Sequence, residues 1–183
     1  VGIISQLIIF LLDCFNTLLA SAMYFSPEFL VSLANKIFPF GEILENVREK
    51  ILSDSNNKLY YPVDPTSRKD ARVGGTISCN ASGFIPGEKG ATRYWVESLS
   101  VLLVNGQLIK AKRGEYVSEK GRFFIDGKEI ILPSYNRPNI KNASGPYTVD
   151  VTEMDFVDLI VGSEGIFGMI VDCEFRLDDL SKN

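Results

Sequence analysis

The chain has 183 residues, 45% hydrophobic, 11% aromatic and 23% charged, which is enough for one domain with a sizeable core and unlike a disordered segment. Nineteen Lys and Arg against 23 Asp and Glu leave a net charge of −4, so the basic footprint of a nucleic-acid binder is missing and no nucleic-acid partner is expected. There is no histidine, which excludes histidine-ligated zinc, a histidine general base and Ser-His or Cys-His nucleophiles.

The opening stretch VGIISQLIIFLLDCFNTLLASAMYF is apolar, and it starts with Val rather than Met, so an upstream part is expected to be missing. Ala20-Ser21-Ala22 resembles a signal-peptide cleavage site, but no basic region precedes it, and Asp13 and Asn16 interrupt the run. The uninterrupted run Leu7–Leu12 is short against the roughly 20 apolar residues of a membrane span. A packed amphipathic helix is the first reading, with a signal peptide or membrane association through residues 1–25 as alternatives. Ser26-Pro27-Glu28 starts a second helix, with a hydroxyl N-cap, proline at the first position and an acid at the positive dipole end. It is predicted to reach about Ile37, with Phe29, Leu30, Leu33 and Ile37 on one face. Residues 1–40 are therefore set apart as an apolar helical segment.

A third helix fits 41–52, where Ile43, Leu44, Val47 and Ile51 form the apolar stripe and Glu45 and Glu49 point outward. The turn formers SDSNNK stop it. KLYYPV reads as a short strand, and DPTSRKDARVGG as an extended turn in which Pro62 and Pro65 force non-helical backbone before them. RYWVESLSVLLVNGQLIKAK is a hairpin with Asn105-Gly106 as a type I′ turn, and FFIDGKEIIL holds a second one at Asp126-Gly127. Lys110, Lys112, Arg113, Lys120 and Arg122, interleaved with Glu115 and Glu119, read as a solvated hairpin surface. Helices precede strands, so the class is α+β, N-terminal helices followed by a mainly antiparallel sheet. The three cysteines, Cys14, Cys79 and Cys173, are too dispersed for a metal motif and odd in number, which points to a reducing, cytoplasmic compartment.

Three loops invite a chemical reading. In Asp64–Gly83, the pair Gly74-Gly75 is followed by small Thr76, Ser78, Ala81 and Ser82 and then Gly83. Such a run lets backbone N–H groups approach an anion, although a tight connection between strands is the commoner use. KNASGPY is the second loop. Asn80-Ala81-Ser82 and Asn142-Ala143-Ser144 both fit the N-glycosylation pattern, which is discounted without a secretion signal. The third is DLIVGSEGIFGMIVDCEF, where Leu159–Val161 and Met169–Val171 read as buried strands broken by Gly162, Gly165 and Gly168. Glu164 in that break is a general base or, more often, a solvated loop acid or dipole partner.

Taken in order, YYPVDPTS, GGTISCNASG, RYWVESLSVLLVNGQLIK, RPNIKNASGPY and MDFVDLIVGSEGIFG resemble the second half of the PCMH-type FAD-binding domain of FAD-linked oxidases of the vanillyl-alcohol-oxidase type. Within it, the likeness is to the D-lactate dehydrogenase and glycolate oxidase subunit group. It sets residues 41–178 as a partial FAD-binding domain and 179–183 as a tail. The resemblance implies FAD as cofactor, held largely by backbone groups, with Asp64, Pro65 and Thr66 along the flavin and pyrophosphate. It likewise implies close passage at Gly74 and Gly75, hydrogen bonds from Cys79, Asn80, Ala81 and Ser82, closure of that loop at Gly83, and a late loop of Gly162, Ser163, Glu164, Gly165 and Gly168 beside the cofactor. Ile170 would contact the adenosine end through its backbone.

Two departures stand out. The family's EGTLG is EGIFG here, so Ile166 brings no hydroxyl and Phe167 replaces a leucine, and the family's first-subdomain loop resembling RGGGTG has no counterpart in residues 1–40. The implied activity is FAD-dependent oxidation of a 2-hydroxy acid or alcohol, in a fragment or divergent member, with no catalytic residue assigned. A partner chain supplying the missing subdomain, or a non-catalytic module that kept the fold, are the alternatives.

Overall fold

The computed structural model describes residues 36–125, 127–132 and 153–180. The predicted helix from Ser26, the segment 1–25 and the KNASGPY loop lie outside the described residues, except that Lys36 and Ile37 open a strand rather than close a helix. That strand, β1 (Lys36–Pro39), is followed by α1 (Leu44–Asp54), β2 (Leu59–Tyr60), α2 (Val73–Ser78), a 3-10 turn (Glu88–Gly90) and a one-turn helix α3 (Thr92–Trp95). Next come β3 (Val96–Leu103), β4 (Leu108–Lys112), β5 (Arg122–Ile125), β6 (Lys128–Ile131), α4 (Phe156–Ile160), β7 (Gly168–Phe175) and β8 (Asp178–Asp179). The described residues thus form an α+β structure.

The main sheet runs β1-β7-β3-β4, antiparallel throughout, and two short pairs, β2-β8 and β5-β6, stand beside it. In β4 a strict alternation buries Ile109 and Ala111 and exposes Leu108, Lys110 and Lys112, the period of a strand with one face on a core. β7 keeps its inward residues Ile170, Cys173 and Phe175 only because of a bulge. Ser100 pairs with Asp172 but Val101 with Ile170, so Val171 is the extra residue, and its carbonyl accepts from Phe40 N at 3.2 Å. An added residue reverses the inside-outside parity, which returns Ile170 to the core side.

Leu44, Val47 and Ile51 bury the apolar stripe of α1 as expected, while the helix starts at Leu44, later than predicted. Phe175 is the centre of an aromatic group, with Tyr61 at 4.3 Å and Phe38 at 6.0 Å between ring centroids. The β3-β4 connection is not the expected type I′ turn. Gly106 has φ +83° while Asn105 stays at negative φ; Gly106 N donates to Leu103 O and Leu103 N to Gln107 O. This is a three-residue loop closed by a left-handed glycine, a geometry that also matches strand twist. DPTSRKDARVGG is a turn only as far as Ala71 and Arg72, for Val73 opens α2.

Truncating Phe175 to Ala removes a fully buried ring and its two aromatic neighbours. We expect a loss of about 3–5 kcal/mol in urea unfolding, with the same spectroscopic end states.

Candidate functional site

The first part of the site is the turn after β2. Arg68 N donates to Pro65 O, and the turn is docked on the start of α1, where Leu44 N donates to Ala71 O and Glu45 N to Arg68 O. The first-turn donors of α1 are thereby satisfied by this turn rather than by a side-chain cap. Glu45 secures it: its carboxylate lies 3.0 Å from Arg68 and 3.1 Å from Arg48. Desolvation works to raise the Glu45 pKa, but the hydrogen bonds and charge of Arg68 and Arg48 outweigh it and hold it below its ordinary value. Asp64 is half-buried, Pro65 buried and Thr66 exposed.

Gly83 lies against Asp64, whose Oδ1 accepts from Phe84 N at 3.1 Å. A Cβ on Gly83 would fall 2.5 Å from both Asp64 N and Oδ1, so only glycine lets the two segments meet.

Between them stands α2. Its first turn contains Gly74 and Gly75, so the expected glycine loop is a helix. Val73 N donates to Glu42 O and Gly74 N to Phe40 O, which directs these groups to the chain's own carbonyls rather than outward to an anion. A Cβ on Gly74 would meet Phe40 Cβ at 2.9 Å, whereas Gly75 is exposed with open space around it. The helix ends in a Schellman motif: Asn80 takes φ +46°, Asn80 N donates to Ile77 O, and Ala81 N donates to Thr76 O. Cys79 and Ser82 are exposed, and Asn80 is buried.

The glycine loop from Gly162 packs onto this helix end. Leu159 and Ile160 belong to α4, not to a strand, because Asp155 caps a helix there with its side chain accepting from Val157 N at 2.8 Å. Val161 follows, and then Gly162, Glu164 and Gly165 adopt φ of +82°, +54° and +79°. Gly162 N donates to Ile77 O at 3.0 Å, a second donor beside Asn80 N, and Glu164 N donates to Ser78 O at 2.8 Å, so the loop bonds directly to the last carbonyls of α2. Gly162 and Ser163 are buried, while Glu164 and Gly165 are exposed. Gly168 opens β7, where a Cβ would lie 2.4 Å from Leu102 O, and Ile170 points into the core while pairing with Val101.

The structure therefore gathers the Asp64 and Gly83 segments, and α2 with the Gly162 loop. The exposed residues at the end of α2 are small, Gly75 and Cys79 one helical turn apart, with Ser82 just beyond.

A cluster that sequence reasoning missed joins the same elements. Arg93 donates to Asp158 O, Asp158 Oδ1 and Val161 O, and Arg113 forms a two-pronged pair with the same carboxylate at 3.1 Å. Arg113 was expected on a solvated surface; instead it reaches inward to Val96 O and Arg93 O as well. Burial lowers the Arg93 pKa and the charge of Asp158 opposes that shift. Residues 65 apart carry no local signal of such a pairing. Among the described residues, no group of three or more metal-ligating side chains is gathered.

Residues 41–112 match the family described as FAD binding domain. A D-2-hydroxyglutarate dehydrogenase of Xanthomonas citri is 31% identical over 121 residues, which is 66% of this chain. Over residues 41–112 the chain is thus similar to an FAD binding domain. The glycolate oxidase subunit GlcD of Bacillus subtilis is 29% identical over 119 residues, and a D-lactate dehydrogenase of Anaerostipes hadrus is also 29% identical. The chain spans only 19% of the length of the first of these relatives. A solved alkyldihydroxyacetonephosphate synthase superposes with a TM-score of 0.51 over 81% of this chain and 20% of its own, at 13% identity, which establishes a shared fold. FAD is the cofactor of this domain family, and the exposed residues Gly75, Cys79 and Ser82 fit it, since they are small and a Cβ added at Gly75 meets no atom within 4 Å among the described residues. Among the described residues no helix is long and apolar enough to cross a membrane.

Two outcomes follow from this geometry. Gly83→Ala forces backbone apart at Asp64 and is expected to lower stability by about 1–3 kcal/mol in urea unfolding. Glu45 contributes stability that is fully present above its unfolded pKa and is lost as pH falls through its lowered folded value. Glu45→Gln is therefore expected to lose up to about 1 kcal/mol near neutral pH, and to show a shallower decline than wild type when unfolding midpoints are measured below pH 5.

Proposed function

We propose that this chain forms part of the cofactor site of an FAD-dependent oxidoreductase that oxidises a 2-hydroxy acid, with residues 41–178 as the partial FAD-binding domain. The observation that carries this reading is the junction of α2, which lies within the region matched by the FAD binding domain family, with the Gly162 loop: small side chains and closely apposed backbone. The hydroxy-acid class is taken from the names of the relatives, D-2-hydroxyglutarate dehydrogenase, D-lactate dehydrogenase and the glycolate oxidase subunit.

Thr66, Gly75, Cys79, Ser82 and Gly165 would face the cofactor, because they are the exposed members of the site. Asp64, Pro65, Gly74, Asn80, Ala81, Gly83, Gly162, Ser163 and Gly168 would shape it, since their side chains or main chains are engaged within the protein or buried. Ile170 would contribute main chain only. Glu164, held at φ +54° with an exposed carboxylate, lies at the edge of the rim. When bound, FAD would supply the two-electron acceptor needed for oxidation of a 2-hydroxy acid to a 2-oxo acid, in which C2 loses a hydride and the hydroxyl a proton. This chain would contribute binding and main-chain dipoles, and no catalytic base is assigned within it. The dispersed cysteines support a cytoplasmic setting.

Thiol accessibility tests this placement. Cys79 is exposed, whereas Cys173 is buried, and burial, then Asp172 and Glu174, push its thiol pKa well up. In a Cys14→Ser background, the folded chain should react with a thiol reagent at Cys79 alone, and saturating FAD should slow that reaction at least tenfold. Flavin fluorescence titration of the same sample reads binding directly. A chain that leaves FAD fluorescence unchanged and Cys79 equally reactive would sink this reading.

A further inference from the structure

Arg93 stands between the two halves of the candidate site and touches both. Its main-chain N–H donates to Asn80 Oδ1 at 2.9 Å, and Asn80 is the left-handed residue that terminates α2. Its guanidinium donates to the carbonyls of Asp158 and Val161, the second of which directly precedes Gly162. The same group pairs with the Asp158 carboxylate at 3.2 Å, and both side chains are only 13% exposed, so the ring of bonds is shielded from water. The end of α2, Arg93, the end of α4 and the Gly162 loop thus close a circuit, completed by the Gly162 N–H on Ile77 O.

We propose that Arg93 is the positioning residue of the cofactor site: by bridging Asn80 to Val161 and Asp158, it sets the separation between the end of α2 and the Gly162 loop. This rests on the FAD reading above. Only arginine has the reach and the planar fork to serve Val161 O and Asp158 together, because lysine presents a single point of charge. Arg113 shares the carboxylate but touches neither loop, since its other bonds go to Val96 O and Arg93 O. The two arginines therefore separate a positioning role from a merely structural one.

The test compares wild type, Arg93→Lys and Arg113→Lys in the full chain, by urea unfolding, amide hydrogen exchange without FAD, and FAD titration. For Arg93→Lys we expect exchange at the Gly162 and Glu164 amides to quicken at least tenfold relative to the amides of β3, and the Kd for FAD to rise at least tenfold. For Arg113→Lys, at a similar loss in unfolding midpoint, both changes should stay under threefold. Equal effects of the two variants, in proportion to their loss of stability, would overturn the positioning role. Unchanged exchange at Gly162 and Glu164 in Arg93→Lys would do so without any reference to flavin. If wild type binds no FAD, the functional reading fails and the cofactor half of this inference fails with it, while the exchange data still decide whether Arg93 orders the loop.

Discussion

Two carbonyls at the end of a six-residue helix, Ile77 O and Ser78 O, hold the candidate site in shape, because both accept from distant main-chain donors, Ile77 O in addition to its local bond from Asn80 N. They find them in Gly162 and Glu164, more than eighty residues away in sequence, so α2 and the glycine loop cannot be placed independently. The left-handed backbone at Gly162, Glu164 and Gly165 follows from that docking: the chain must turn sharply to aim successive N–H groups at one helix end. Glu164 accepts a conformation that glycine adopts more readily, and the two hydrogen bonds flanking it are the visible compensation.

Buried charge then stiffens what the main chain began. One carboxylate, Asp158, receives two guanidinium groups, and the surplus positive charge is spread over carbonyls at the end of α4 and on α3 and β3. Such a cluster is poor evidence for added stability, since desolvation offsets much of the attraction, yet it fixes relative orientation because planar guanidinium groups bond several acceptors in set directions. In this chain the orientation fixed is that of the elements carrying the site. The main sheet supplies the floor, with Gly168 passing so close to Leu102 O that β7 and β3 join without a side chain between them.

These features suit a ligand recognised by main chain and shape rather than by a set of ionisable side chains. The absence of histidine and the small rim residues agree with a cofactor that carries the reactive electrons itself, while the protein binds and orients it. Sequence likeness to the FAD binding domain family points the same way.

Much of this was legible from residue order. The stripe of Leu44, Val47 and Ile51, the alternation in β4, the glycines at both hairpins and the five blocks that resemble an FAD-binding domain are local patterns, and local patterns survive in one dimension. What failed locally was the state of short segments: VGGTIS reads as a loop and Leu159–Val161 as a strand, because helices of five or six residues have too little periodicity to outweigh glycine or β-branched propensity. Their helical state is decided by caps, the Asp155 side chain for α4 and the Asn80 Schellman turn with the glycine loop for α2. Likewise, the Val171 bulge and the Arg93–Asp158–Arg113 cluster depend on partners tens of residues away. The sequence by itself determined the fold class and the likeness to an FAD-binding domain, and it proposed the list of site residues. Only the tertiary structure decided which of those residues face outward and which hold the others in place, since a donor and an acceptor distant in the chain become a constraint only once folding brings them within hydrogen-bonding distance.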